Sequence, residues 1–224
     1  YGYVVVEPAT VLATHLMETL KANAAELLGR QEVREIVDAL ARTHPALVEE
    51  VVPAKVSPGT LHRVLQRLLR GRVPVRDLVT VLEALGDAAG GSRDPEHLTE
   101  FVRRALGNAI ARQHAGPGGA ITAVALGPRM EAALGAMFTP RAGQAPSPLL
   151  SPDVLAALLR RLHDLTAQGG EGRPLPLLVP PALRIGVRRL VEPVFPVQPV
   201  LSLAELPPSA TLHVAATWEV DDAA

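Results

Sequence analysis

Apolar residues recur along the first half of this chain with the spacing of helices, and along the second with helical and strand spacing in alternation. Val4-Val5-Val6 is a β-branched run closed by Glu7-Pro8, and Pro8 suits a first helical position because its missing N–H would go unpaired there anyway. From about Ala9 to Leu28, Leu12, Leu16, Leu20, Ala24 and Leu27 repeat on one face and predict a buried stripe in a helix stopped by Gly29. Thr10 and Thr14 lie four apart with Val11 beside them, on a separate face near the helix start. Val33, Ile36, Val37 and Leu40 predict a second helix over 31–43, ended by His44-Pro45, and a short third follows over 46–51, stopped by Pro53. Ser57-Pro58 reads as N-cap and first turn of a helix with Leu61, Val64, Leu65, Leu68 and Leu69 inside, ended by Gly71. Pro74 opens the next, with Val75, Leu78, Val79, Leu82 and Leu85 inward and Gly86 near its end. After Gly90-Gly91-Ser92, Asp94-Pro95 caps a helix with Leu98, Phe101, Val102, Leu106 and Ile110 inside.

Beyond Gly116-Pro117-Gly118-Gly119 the texture changes. Residues 121–126 read as a strand, 128–137 as a short helix, and 139–148 as a mobile loop rich in Pro and Gly. Ser151-Pro152 caps a helix carrying Leu155, Leu158, Leu159, Leu162 and Leu165, which Gly169-Gly170 breaks. Strands follow at 175–179, 200–201 and 211–220, with a helix over 181–191 and a frayed tail from Asp221. The pattern predicts an α+β chain, mainly helical: a five-helix subdomain over 29–113, a hinge at 114–119, and a small α/β subdomain over 120–224 with a sheet of about four strands. The opening strand and helix, 1–28, have no strand partner nearby in sequence. They read as the end of a preceding subdomain that is incomplete here.

With 48% apolar but only 3% aromatic residues, the cores must be built from Leu, Val and Ala. The net charge is −1; residues 1–115 carry 14 Lys/Arg against 14 Asp/Glu and residues 116–224 carry 8 against 9, so neither half has the basic excess that nucleic acid requires. Without cysteine there is no disulfide framework and no thiolate metal site. No run of about 18 apolar residues suggests a membrane span.

Candidate chemistry is sparse. The seven histidines, at 15, 44, 62, 97, 114, 163 and 213, form no metal-ligand pattern; His15/Glu18 and His97/Glu100 each lack the second His or carboxylate a site would need. His163-Asp164 has no serine on a strained strand-to-helix turn nearby, and neither glycine-rich stretch is followed by the Lys-Ser/Thr of a P-loop. The residues thus predict no enzyme, no metal and no cofactor. Arg184, Arg188 and Arg189 share a helix turn and read either as a phosphate grip or as the solvated face of an amphipathic helix, the latter favoured. Arg30 and Glu32, like Arg76 and Asp77, sit at helix beginnings, where the acids serve as caps and dipole partners or the pairs serve as contacts between subunits. For Thr10 and Thr14 the ordinary role is a helix threonine bonding back to the i−4 carbonyl or facing solvent.

A resemblance adds to this reading. Val5-Val6-Glu7-Pro8-Ala9-Thr10-Val11-Leu12-Ala13-Thr14-His15-Leu16 and Glu26-Leu27-Leu28-Gly29-Arg30-Gln31-Glu32-Val33 resemble the cytoplasmic part of the FlhA family of flagellar biosynthesis proteins, the export-gate family of type III secretion. The similarity continues through 47–53, 60–69, 73–78, 82–85 and 94–107, and thins after 115 to short matches at 177–179, 182–184, 200–202 and 205–206. Gly29 to Glu32 and Leu47 to Pro53 favour the flagellar branch over virulence-type injectisome gates. Glu7 stands where the family more often has Asp.

The resemblance implies a bacterial inner-membrane parent anchored by N-terminal helices absent from this sequence, whose cytoplasmic part has four subdomains and assembles into a nine-membered ring. Residues 1–28 would complete the first subdomain, 29–113 form the helical third with ring contacts, and 116–224 the mobile fourth. In that family, export chaperones carrying late substrates dock in an apolar dimple between the first two subdomains. The threonine matching Thr14 contributes to its wall and the other known wall residues lie upstream of Tyr1, so this sequence would carry one edge of the site, with Thr10 and Val11 beside Thr14 on the helix as further candidates. Partners implied are therefore chaperone–substrate complexes, other export-apparatus components and further copies of the chain. Two other readings stay open: the gate of a virulence-type system, and a free-standing helical scaffold unrelated to secretion.

Overall fold

The computed structural model describes residues 7–138, 151–167, 169 and 173–220. The strand expected at Val4–Val6, the loop expected over 139–148, Gly170 and the tail from Asp221 lie outside them. The chain divides into two compact units, Tyr1–Arg103 and Arg104–Ala224, so the helix just before the glycine-rich joint groups with the sheet.

The first unit is helical: α1 Pro8–Leu27, α2 Arg30–Ala41, α3 Pro45–Val51, α4 Pro58–Arg70, α5 Leu78–Ala88 and α6, which starts at Pro95 and runs to Ala105. Local chemistry places the starts. Ser57 Oγ accepts the Thr60 N–H at 3.1 Å with Pro58 in the first turn, so α4 begins where serine and proline together favour it. α5 begins four residues later than expected. Asp77, not Pro74, is its N-cap, accepting the Thr80 N–H at 3.1 Å and the Thr80 hydroxyl at 2.7 Å. It then runs through Gly86 to Ala88; a Cβ at Gly86 would come within 3.1 Å of Val51 Cγ2, so the missing side chain lets α3 lie close against α5. Leu61, Val64, Leu65 and Leu68 of α4, with Val81, Leu82 and Leu85 of α5, Leu98 and Val102 of α6, and Val33 and Val51, are buried. Phe101, expected inside, is half-exposed.

The predicted buried stripe of α1 is not buried. Leu12, Leu16, Leu20 and Leu27 are 69%, 59%, 50% and 59% exposed, while Ala25 is the one buried residue of the helix. At about 100° per residue the leucines project roughly opposite to Ala25. α1 meets α4 with its last turns, and its leucine face is exposed.

The second unit holds α7 Gly107–His114, β1 Ile121–Leu126, α8 Pro128–Phe138, α9 Pro152–Thr166, β2 Leu177–Val179, α10 Arg184–Val191, β3 Val200–Ser202 and β4 Leu212–Trp218, with single 3₁₀ turns at Pro181–Leu183 and Leu203–Glu205. One helix was expected from Asp94 past Ile110, but Leu106, at φ −82° and ψ 10°, is not helical and separates α6 from α7. The four strands are all parallel, in the order β3-β2-β1-β4. Ala123 pairs with Val214 and Val124 with Ala216, so Ala215 is an extra residue that bulges β4. α9 packs on β1 and β4, α10 on β3, and α7 on β1. The core joins Val124, Leu177, Val179, Val200 and Trp218 of the strands to Met130, Leu134, Leu158, Leu162, Val187 and Val191 of the helices. Near-continuous apolar strands covered by helices are what a parallel sheet requires.

Candidate functional site

The side chains singled out for docking sit on α1. Thr10, Val11 and Thr14 are all exposed, Val11 at 54%. The threonine that bonds back to the i−4 carbonyl is a different one, Thr19, whose hydroxyl donates to His15 O at 2.8 Å. At helical spacing Thr10, Thr14 and Glu18 fall in one row, on the side of α1 that Ala25 turns toward α4. Glu18 takes Lys21 at 2.8 Å and Arg72, beyond the end of α4, at 3.7 Å. The row ends in the contacts that hold the helix down. Gln66 Nε2 donates to Ala25 O at 3.0 Å and Leu28 O at 3.4 Å, and His62 Nε2 lies 2.7 Å from Leu28 O. Since a carbonyl can only accept, His62 carries its proton on Nε2. These carbonyls belong to the helix end, where no intrahelical N–H is available.

The surface-pair candidates, Arg30, Glu32, Arg76 and Asp77, are exposed. Asp77 caps α5, and the Thr80 hydroxyl, with its N–H second, holds the Asp77 carboxyl below its ordinary value of 3.8. The Glu32 carboxylate folds back over Gly29, the N-cap of α2, where a Cβ would leave it no room. The two acids therefore finish helix starts, and the two arginines are left on the surface.

The arginine trio of α10 divides. Arg184 is not solvated: it is 7% exposed, with Nε 3.7 Å from Glu205 Oε1, and Glu205 is itself buried. Arg188 donates to Gln198 O at 2.9 Å and Pro196 O at 3.3 Å and pairs with Glu192 at 3.2 Å, while Arg189 is exposed. A buried arginine already paired within the fold makes no phosphate grip. His163 stacks on Phe195, with ring centroids 5.0 Å apart. No group of three His, Asp or Glu that could hold a metal occurs among the described residues, and no described helix is long and apolar enough to cross a membrane. The arrangement offers hydroxyl and apolar groups on an accessible helix, suited to non-covalent docking.

Sequence reasoning missed His62, Gln66 and Arg72 as supports of α1. His62 and Gln66 lie 34 to 41 residues from the carbonyls they contact, and nothing local marks them or Arg72.

The profile of the FHIPEP family matches residues 1–211. The chain is 36% identical over 223 residues to "Flagellar biosynthesis protein FlhA" of Bacillus subtilis and 38% identical over 217 residues to that of Escherichia coli. These alignments cover 98% and 96% of the chain but 32% and 30% of the relatives, so the chain spans about a third of their length. Among solved structures, the Chlamydia pneumoniae CdsV protein superposes with a TM-score of 0.83 at 28% identity, covering 96% of this chain and 61% of that one. The nonameric SctV-C of EPEC superposes at 0.76 and 27% identity, covering 90% and 60%. A complex of CdsV with CdsO gives 0.83 at 30% identity, covering 96% and 63%. The chain belongs to the FHIPEP family.

Proposed function

We propose that this chain is part of the export gate of a bacterial flagellar type III secretion apparatus. In this reading it is a non-enzymatic docking and ring-assembly module, cytoplasmic in a parent protein of the inner membrane. The observation that carries it is the 36–38% identity to FlhA proteins along nearly the whole chain. The virulence-type reading is supported by the likeness to CdsV and SctV-C, at the lower identities of 27–30%.

Chaperone–substrate complexes would dock against α1, with Thr14 in contact and Thr10 and Val11 beside it; their exposure, and their separation from the helical core, support that role. The nonameric SctV-C supports assembly of the parent into a nine-membered ring, with Arg30, Glu32, Arg76 and Asp77 as candidate contacts. The solved complex of CdsV with CdsO supports binding of a further export-apparatus component.

The test is a pull-down of flagellar chaperone–substrate complexes with the parent's whole cytoplasmic region, comparing wild type with Thr14→Asp. Binding should fall in the variant while its melting temperature holds. Equal binding by both would move the site off Thr14, and exclusive capture of injectisome chaperones would favour the virulence-type gate.

A further inference from the structure

The glycine-rich stretch that reads as a hinge in the sequence is closed on itself in the fold. The Gly116 N–H donates to Ala120 O at 2.8 Å, and the Gly119 N–H donates to Gly116 O at 2.9 Å. Ala115 forms an antiparallel bridge with Ile121, the first residue of β1. Pro117 stands second in the turn, where its fixed φ fits, and Gly119 takes the left-handed φ of 77°. The conformational freedom of these residues is used up in one tight turn that leads directly into the sheet.

α7 is fixed to the second unit at both ends. That turn holds its last residues. At its start, Gly107 abuts the Glu205 carbonyl so closely that a Cβ would overlap the oxygen. Glu205 is itself buried, held by its capping box with Ser202 and by Arg184. Between the two ends Ile110 is buried, and α7 packs on β1. α6 is fixed to the first unit in the same manner. Leu98 and Val102 are buried, and Glu96 takes Arg67 of α4 at 2.9 Å. Arg103, also buried, lies against Gly71 just past α4, where a Cβ would come within 3.0 Å of its Nη1. Between these two sets of holds stand only Arg104, Ala105 and Leu106.

Nothing local asks for a break there. Alanine and leucine are strong helix formers, leucine is a poor N-cap, and Leu106 gives α7 no side-chain cap. The break at Leu106 is made instead by the seating of Gly107 on Glu205, which takes α7 to the second unit. We propose that the two units pivot at Leu106, that α7 travels with the sheet, and that 114–119 does not bend. Leu106 is 3% exposed, so the joint is a packed pivot and not a free linker. One residue at the ends of two fixed helices can absorb a domain movement in its φ and ψ. The pivot does not depend on what docks against α1.

The sequence contains no cysteine, so spin labels can be introduced in chosen pairs. Glu83→Cys on α5, Asn108→Cys on α7 and Asp164→Cys on α9 all replace exposed residues. The α7–α9 pair should give a narrow distance distribution, and the α5–α7 pair one broader by several ångströms. A joint at 114–119 would give the reverse. A broad α7–α9 distribution, or a narrow α5–α7 one, overturns the proposal. Gly116→Ala with Gly118→Ala stiffens the glycine-rich stretch where neither residue has a positive φ and no added Cβ comes closer than 3.6 Å to a neighbour. The α5–α9 distribution should keep its width in that variant, and narrowing would place the bending in the stretch and overturn the pivot. Gly107→Ala, which drives a Cβ against the Glu205 carbonyl, should broaden the α7–α9 distribution while the emission of buried Trp218 shows the sheet still folded. An unchanged α7–α9 width would overturn the role given to Gly107. If that variant does not fold, the two wild-type distributions still decide where the chain bends.

Discussion

The Glu219 carboxylate, one residue past β4, accepts the backbone N–H of Met130 at 2.8 Å and so caps the start of α8 from 89 residues away. The Arg129 N–H reaches the same carboxylate at 3.4 Å, and a Cβ on Gly127 would strike it. The end of the last strand thus closes the helix that follows β1, at the helix end whose dipole favours a negative charge.

Burial pushes the Glu219 carboxyl up, but the N–H groups of Val220, Met130 and Arg129 and the Arg129 charge outweigh it, leaving the group below its ordinary 4.5. A carboxyl depressed on folding contributes stability that is whole above its unfolded value and lost as pH falls through the folded one. Glu219→Gln should therefore destabilise the second unit at pH 7 by about 1 kcal/mol, the usual size for a lost helix cap. The deficit relative to wild type should shrink as pH drops below 4.5. Melting curves of both proteins across that range check it.

Removing one partner of the buried Arg184–Glu205 pair should be among the costlier single changes in the second unit. Glu205 also accepts the Ser202 N–H at 2.8 Å in a capping box, so Glu205→Ala removes the carboxylate beside a buried cation and opens the turn after β3. A loss of about 3–5 kcal/mol is expected, and Arg184→Met with Glu205→Leu should recover a large part of it. Chemical denaturation of the single and double variants measures the coupling.

Gly186 of α10 faces the Phe138 ring so closely that a Cβ would overlap it. Gly186→Ala should cost about 1–3 kcal/mol through overpacking despite the better helix propensity of alanine. Phe138→Leu in the same chain should relieve part of that loss in urea titrations.

Leu16→Gln on the exposed face of α1 should change the stability of this chain by less than about 0.5 kcal/mol, whereas Leu65→Ala in α4 should cost about 2–5 kcal/mol. A large loss from Leu16→Gln would mean that the leucine face is covered.

Much of this fold can be read from the chain. The Ser57-Pro58 and Ser151-Pro152 caps, the apolar run at 121–126 and a sheet of about four strands are legible from short-range signals, and the structure follows them; that the strands run parallel is seen only in the fold. Periodicity identifies which face of α1 is apolar, but whether anything covers that face is a property of its surroundings. Pro74 and Asp77 both suit a helix start, and the bidentate hold of Asp77 on Thr80 decides between them. Arg184 looks solvated until β3 and its turn bring Glu205 alongside it. In the candidate site, Thr10, Val11 and Thr14 stand out in the sequence, whereas the α4 side chains beneath their helix do so only once the chain is folded.

Trp218, wholly buried at the end of β4 with its Nε1 donating to Leu158 O at 2.9 Å, is the only tryptophan in the chain, and both tyrosines lie in the first three residues. Indole fluorescence therefore reports on the sheet unit alone, while the six helices from α1 to α6 are silent to it and dominate the far-ultraviolet circular dichroism of the first unit. Recorded on one sample without any added label, the indole signal follows the sheet unit alone while circular dichroism follows the helices of both units. A dichroism transition without a matching indole transition therefore belongs to the first unit. Coincident curves would indicate that the units unfold as one.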